Sequence, residues 1–272
     1  MDNVIIIKPG KGWVFVNVKE LWLYRDLLYF LTMRGIKAKY AQSVLGIGWA
    51  IIQPVVTMLV FTIIFGRVAK VSSDGIPYAL FSFLGVWPWT YFSGTLTESA
   101  NSLITNASII TKVYFPRLVL PLASVFSRLL DFIIAFVIVI VLLIYYQVMP
   151  GFSLVWLPLL IIQLLLTSLG LGMTLSAMAV QYRDVKHALT FMVQILMYAA
   201  PVVYSTTAVP AAYRFWFSLN PMVGVIEGFR ASFLDKPMPW AWIWPGSMVA
   251  LLLFVFGALY FRKMERFFAD VA

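Results

Sequence analysis

Arg128 and Asp131 stand three residues apart inside Leu118–Tyr146, a stretch with no other charge. On a helix that spacing puts both on one face, where opposite charges can pair. Such a pair serves as a structural bond that offsets its own burial, or, with Glu98 near the end of an earlier apolar run, as an ion relay. Glu227 and Arg230 repeat the spacing in a later apolar segment, with the same two roles open. Bond-making chemistry is poorly provided for. The chain has no cysteine and one histidine, His187, so neither a disulfide nor a Cys/His metal cluster can be built. There is no G-x-x-x-x-G-K-[ST] run to cradle nucleotide phosphates and no D-x-D pair. A membrane-embedded enzyme needs carboxylates or a metal to activate its reactant, and the scattered acids here give that little support.

Two further groups of side chains could meet a ligand. Arg34, Lys37 and Lys39 open the stretch "RGIKAKYAQSVLGIGWAIIQPVV", Arg34–Val56, directly before an apolar run, and Arg25 lies upstream. Trp87, Trp89 and Tyr91 surround Pro88, while Tyr198 and Tyr204 close another apolar run. Aromatic faces stack on the apolar faces of sugar rings, and Tyr and Trp edges offer hydrogen bonds; helix packing and interfacial belts are the plainer roles.

The elements that must position these residues are membrane helices. Hydrophobic residues make up 62% of the 272 and charged ones only 11%, more apolar surface than a soluble domain can hide. At about 20 apolar residues per crossing, the charge-poor runs predict six transmembrane helices. They fall near 46–65, 78–101, 118–146, 154–180, 188–204 and 243–261. Ahead of them, residues 1–18 read as a short lead without the apolar core of a signal peptide. Lys19–Met33 then predicts an amphipathic helix lying in the membrane interface. Its apolar face is Leu23, Tyr24, Leu27, Leu28 and Leu31, with Arg25 and Thr32 opposite.

"TNASIITKVYFPR", Thr105–Arg117, predicts one short helix capped by Asn106 or Ser108 and ending before Pro116; it suits a docking element or a plain connector. Residues 205–242 are too apolar for a water-exposed loop. Broken at Asn220-Pro221, they read as two re-entrant half-helices that dip back toward the membrane. Six spans put both termini on one side. Arg67, Lys70, Arg214, Arg230 and Lys236 fall on the other side and Arg128 inside a span, so the remaining 14 of the 20 Lys and Arg gather on the terminal side. The positive-inside rule makes that side the cytoplasm. The net charge of +9 thus follows from topology and anionic lipid rather than from nucleic acid.

Taken in order, these pieces resemble the permease subunits of bacterial ABC exporters of polysaccharides and polyol phosphates, and within them the O-antigen type. An interfacial helix bearing "RD" precedes the Arg34–Val56 stretch, and "TNASIITKVYFPR" follows the second run. "YRD" closes the fourth run, "NP" separates the fifth and sixth, and "YFRKMERFFADVA" ends the chain. The likeness covers nearly the whole chain.

The resemblance implies an all-α integral membrane fold and a homodimer of six-span subunits in the bacterial inner membrane. Two copies of a cytoplasmic ABC ATPase would supply the ATP and magnesium chemistry, while the permease itself holds no cofactor and changes no bond. The implied cargo is a glycan on a polyprenyl diphosphate lipid. Arg25, Arg34, Lys37, Lys39 and Tyr40 would meet the diphosphate at an entrance loop, Arg34–Tyr40, although topology explains these cations equally well. Trp49, Trp87, Trp89, Tyr91, Tyr198 and Tyr204 would face the glycan in a channel lined by the first and fifth spans. Thr105, Ser108, Thr111, Lys112, Tyr114 and Phe115 would couple to the ATPase. Asn220, Pro221, Glu227 and Arg230 would form an outer gate. The implied layout is a lead, interface helix and entrance loop at 1–45, a transmembrane domain at 46–261 and a cytoplasmic tail at 262–272. Teichoic acid or capsule are alternative cargoes. An ion-coupled transporter using Glu98, Arg128 and Asp131, and an enzyme acting on a polyprenyl-linked substrate, are the rival functions.

Overall fold

The computed structural model describes residues 18–41, 43–182, 184–265 and 268. The lead at 1–17, Arg183 of the "YRD" turn and Arg266 of the tail lie outside them. Among the described residues every element is a helix. The amphipathic stretch forms two pieces, α1 (Val18–Leu23) and α2 (Arg25–Tyr40), parted at Tyr24. A 3₁₀ turn leads into α3 (Trp49–Phe61), which widens into a π turn at Thr62–Val68. α4 (Tyr78–Thr105), the single turn α5 (Ala107–Ile110) and α6 (Val119–Tyr145) follow. Then come α7 (Leu157–Gln181), α8 (Val185–Tyr198), the short α9 (Arg214–Ser218), α10 (Pro221–Phe233) and α11 (Trp240–Met264).

Among the described residues, four stretches are long and apolar enough to cross a membrane: Gly46–Val68, Val119–Tyr145, Phe152–Gln181 and Trp240–Met264. They coincide with four of the six expected spans. The other two differ for separate reasons. α4 has 28 residues, about 42 Å of helix, but packs against α3, α6, α7 and α10. A helix covered by protein on several sides needs no continuous apolar stripe, and α4 buries Ser82, Thr95, Ser99 and Ser102. α8 has 14 residues, about 21 Å, short of a bilayer core of ~30 Å.

The interface stretch departs from expectation in two ways. Arg34–Tyr40 is not a loop: α2 runs unbroken to Tyr40. Lys37 and Lys39 fall in its last turn, where the helix dipole favours cations. The inward face otherwise keeps Tyr24, Leu27, Leu28 and Leu31 as expected, with Leu23 turned outward and Thr32 turned inward. Leu21, Tyr24, Leu27, Leu28 and Leu31 turn inward onto protein, and Thr32 is buried with its hydroxyl donating to the Leu28 carbonyl. Trp22, Leu23, Tyr29 and Phe30 form the exposed face instead.

Among the described residues, two apolar clusters hold the helices together. The larger centres on α4, where Trp87 stacks on Phe132 of α6 at 4.4 Å and meets Phe229 of α10 edge-on at 5.2 Å. The smaller joins Leu31 of α2, Leu103, Ile110, Phe115, Leu120 and Phe261, with Phe268. α7 and α11 cross closely: a Cβ on Gly257 would lie 2.2 Å from the Gly170 carbonyl oxygen. Asn220-Pro221 breaks the chain between α9 and α10 as expected. Asn220 accepts from the Met222 N–H at 3.1 Å and Pro221 opens the first turn of α10. Asn106 does not cap α5; its amide donates to the Ser102 carbonyl at the end of α4.

Candidate functional site

The end of α2 meets α6 in a cluster of opposite charges. Lys39 Nζ and the Tyr40 hydroxyl each donate to one oxygen of Asp131. Arg128, one turn earlier on α6, reaches Asp131 only at 3.5 Å and pairs with Glu98 of α4 at 2.5 Å. Ser127 Oγ also donates to Glu98 at 3.4 Å. Two cations and two anions therefore balance, and they tie α2, α4 and α6 together. The expected Arg128–Asp131 pair is present at 3.5 Å, but each residue has a nearer partner on another helix. Arg128 can lie across α4 because the surface there is glycine; a Cβ on Gly94 would sit 2.9 Å from the guanidinium carbon. Burial first, then Asp131, pushes the Tyr40 hydroxyl well above its usual range, so it donates as a neutral phenol.

Beside this cluster is a cavity of about 150 Å³, lined among others by Lys39, Tyr40, Trp49, Gln53, Tyr91 and Arg128. A second, of about 300 Å³, lies on the far side of Glu98 between Arg34, Thr97, Asn101 and Ser127. Arg34 donates to Asn106 Oδ1 at 3.3 Å and so bridges α2 to the α4–α5 joint. Lys37 is exposed, and Arg25 is exposed beside Asp26 at 3.8 Å and over the Trp22 ring at 5.4 Å. The five predicted entrance residues thus share one helix, but Lys39 and Tyr40 are already engaged by Asp131.

The predicted channel aromatics divide. Trp87, Trp89 and Tyr91 are at most 6% exposed. Trp87 Nε1 donates to the Phe132 carbonyl at 2.9 Å, the Tyr91 hydroxyl to that of Val125 at 3.1 Å, and Trp89 packs on Phe92. They are packed within the subunit, the polar edges of Trp87 and Tyr91 satisfied by backbone, while Trp87 and Tyr91 also border the cavity beside the charge cluster. Trp49 and Tyr198 are exposed on α3 and α8. Tyr204 is half-buried, its hydroxyl donating to the Tyr198 carbonyl at 2.9 Å.

Arg230 is a buried anchor rather than a free gate charge. It is 3% exposed, pairs with Glu227 at 2.8 Å and lies 3.6 Å over the Phe81 ring. It also donates to the carbonyls of Phe81, Val202 and Tyr204. α10 is thereby bolted to α4 and to the connection after α8. Asn220 completes the bolt through the Ala199 carbonyl at 3.0 Å.

In the segment after α4, Thr105, Ser108, Thr111, Lys112 and Tyr114 are exposed, but Phe115 is buried and serves as a root for the segment. The sequence reasoning missed Gly94, Glu265 and Phe268. Phe261 and Phe268, seven residues or two turns apart, carried a signal of one shared face. Among the described residues no group of three or more His, Cys, Asp or Glu could hold a metal ion.

Residues 26–234 match the family described as ABC-2 type transporter. The chain is 29% identical over 247 residues to the O-antigen export system permease protein RfbA of Klebsiella pneumoniae, covering 90% of this chain and 95% of that protein. It is 32% identical over 224 residues to the protein of the same name in Myxococcus xanthus, covering 82% and 85%. The polysialic acid transport protein KpsM of Escherichia coli is 24% identical over 207 residues, covering 72% and 77%. A match that runs from the start of α2 to the end of α10, with relatives aligned along most of their length, makes this multi-pass membrane chain a member of the ABC-2 type transporter family.

Proposed function

We propose that this chain is the permease of an ATP-driven exporter that moves a lipid-linked polysaccharide of O-antigen type from the cytoplasm to the periplasm across a bacterial inner membrane. It would act as a homodimer with two copies of a separate ABC ATPase, both termini in the cytoplasm. The observation that carries this is the nearly end-to-end similarity to permeases named for O-antigen export. The chain offers no phosphate-cradling loop of its own, in keeping with an energy source on another subunit. Six spans result if α4 crosses at the centre of the bundle and α8 crosses together with the buried connection that follows it. α10 would then be re-entrant, covered by protein as lipid-depth backbone requires.

On this reading the exposed Thr111–Tyr114 turn docks on the ATPase. Arg25, Arg34 and Lys37 remain available to a diphosphate, Arg as a two-pronged donor and Lys as a point charge. Rocking of α2 against α4 and α6 would alternate two packed arrangements and advance the polymer. A capsule-type polymer is the second reading, favoured by the KpsM similarity. Co-purification with a co-expressed ABC ATPase, followed by ATP hydrolysis with and without lipid-linked glycan, tests the proposal. A stable complex whose hydrolysis rises with O-antigen lipid is expected. Absence of a complex, or turnover of the glycan lipid by the permease alone, would contradict it.

A further inference from the structure

The turn after α5 is an exposed knuckle with two buried roots. Thr111, Lys112, Val113 and Tyr114 are exposed in succession, while Ile110 before them and Phe115 and Pro116 after them are buried. The first root is secured by helical hydrogen bonds, the Val113 and Thr111 N–H groups donating to the Ile109 and Ala107 carbonyls. The second root lacks that support. Pro116 brings no N–H, and Arg117 stands just ahead of α6, where backbone donors find no partner within their own helix.

The partner comes from beyond α11. The Arg117 N–H donates to the Glu265 carboxylate at 3.2 Å, and the Arg117 guanidinium donates to the Glu265 carbonyl. Arg262 holds Glu265 by an ion pair one turn back. The same guanidinium lies 5.8 Å from the centre of the Phe268 ring. Phe268 is 1% exposed, meets Phe261 edge-on at 5.2 Å, and shares the smaller apolar cluster with Ile110 and Phe115. Charge, backbone bonding and apolar packing therefore converge on one root of the knuckle, with Glu265 lying 148 positions from Arg117.

We propose that Glu265 and Phe268 are positioning residues that brace the Thr111–Tyr114 knuckle, so that displacement imposed on it by a partner protein passes into α6 and α11 instead of being absorbed by the loop. This rests on the proposal that the knuckle docks on the ATPase. α11 can carry the displacement onward because it crosses α7 glycine on glycine, without a compliant side chain between the backbones.

The test uses the full-length permease in complex with its ATPase, with Glu265→Leu and Phe268→Ala as disrupting variants. Glu265→Gln, which keeps an oxygen acceptor, and Phe268→Leu, which keeps an apolar plug, are the conservative ones. Two quantities are read: ATPase retained on the purified permease, and ATP hydrolysed per glycan lipid exported. The disrupting variants are expected to retain the ATPase but to raise the ATP used per export event by about fivefold or more, with the conservative pair near the parent. An unchanged ratio in the disrupting variants would overturn the brace. So would equal failure of the conservative pair, or export that falls only in step with the melting temperature of the permease. Lys112→Glu with Tyr114→Ala probes the docking itself: loss of ATPase binding supports it, and unchanged binding refutes the docking and the brace that depends on it.

Discussion

Lys39 and Asp131 are 92 positions apart in the chain, yet each satisfies the other's charge. Removing one partner of a fully buried pair costs about 3–5 kcal/mol. Lys39, Glu98, Arg128 and Asp131 keep 18–32% of their side-chain surface exposed, so solvent screening reduces the loss to about 1–2 kcal/mol. Asp131→Asn is accordingly expected to fold, as a single peak on size exclusion in detergent, while export falls because α2 loses its hold on α6. Exchanging the charges, Lys39→Asp with Asp131→Lys, is expected to recover part of the export. An ion relay predicts differently: the exchange would recover nothing, and an uncoupler would abolish transport. Arg230 belongs to another regime. Its guanidinium makes four hydrogen bonds at 3% exposure. Arg230→Met is expected to lose about 3–5 kcal/mol, seen as a lower melting temperature, and Arg230→Lys to recover little because an ammonium cannot span the same acceptors.

Among the elements, α4 is the keystone, and its aromatics act through packing. Trp87→Ala should destabilise by about 3–5 kcal/mol, measured by thermal denaturation, and should reduce export of any glycan alike. A channel-lining role would instead change the preference among glycans at unchanged stability. How far the sequence revealed these elements follows from the range of the forces involved. Apolar length located α3, α6, α7 and α11, because a span that faces lipid must be greasy along its whole run. The break at Asn220-Pro221 was legible because proline and a capping amide act within one turn. The helical character of Arg34–Tyr40 was missed because the resemblance placed an entrance loop there, whereas cations in a last helical turn are favoured by the helix dipole. The i, i+3 spacing of Arg128 and Asp131 suggested a bond. It could not show that Glu98 and Lys39 are the nearer partners, because contacts between helices leave no local periodicity. The same holds for Glu265 reaching Arg117.

At the scale of the whole molecule, the openness of α3 stands out. Only 11% of its membrane-length window is buried, against 33% for the window that includes α7. Val56, Leu59 and Val60 on α3 and Ile63 in the π turn after it, with Phe191, Met192 and Ile195 on α8, present apolar surface outward. The proposed homodimer would cover part of it at α3. Because the chain has no cysteine, a single Leu59→Cys can be cross-linked without background. A covalent dimer in intact membranes is expected, and its absence along the exposed face of α3 would move the dimer seam elsewhere. The most direct measurement places the purified permease and its partner ATPase together in liposomes, with lipid-linked O-antigen on the ATPase side. The predicted result is glycan arriving on the opposite side only when both proteins and hydrolysable ATP are present. Transport by the permease alone, or transport that ignores ATP and stops with an uncoupler, would contradict it.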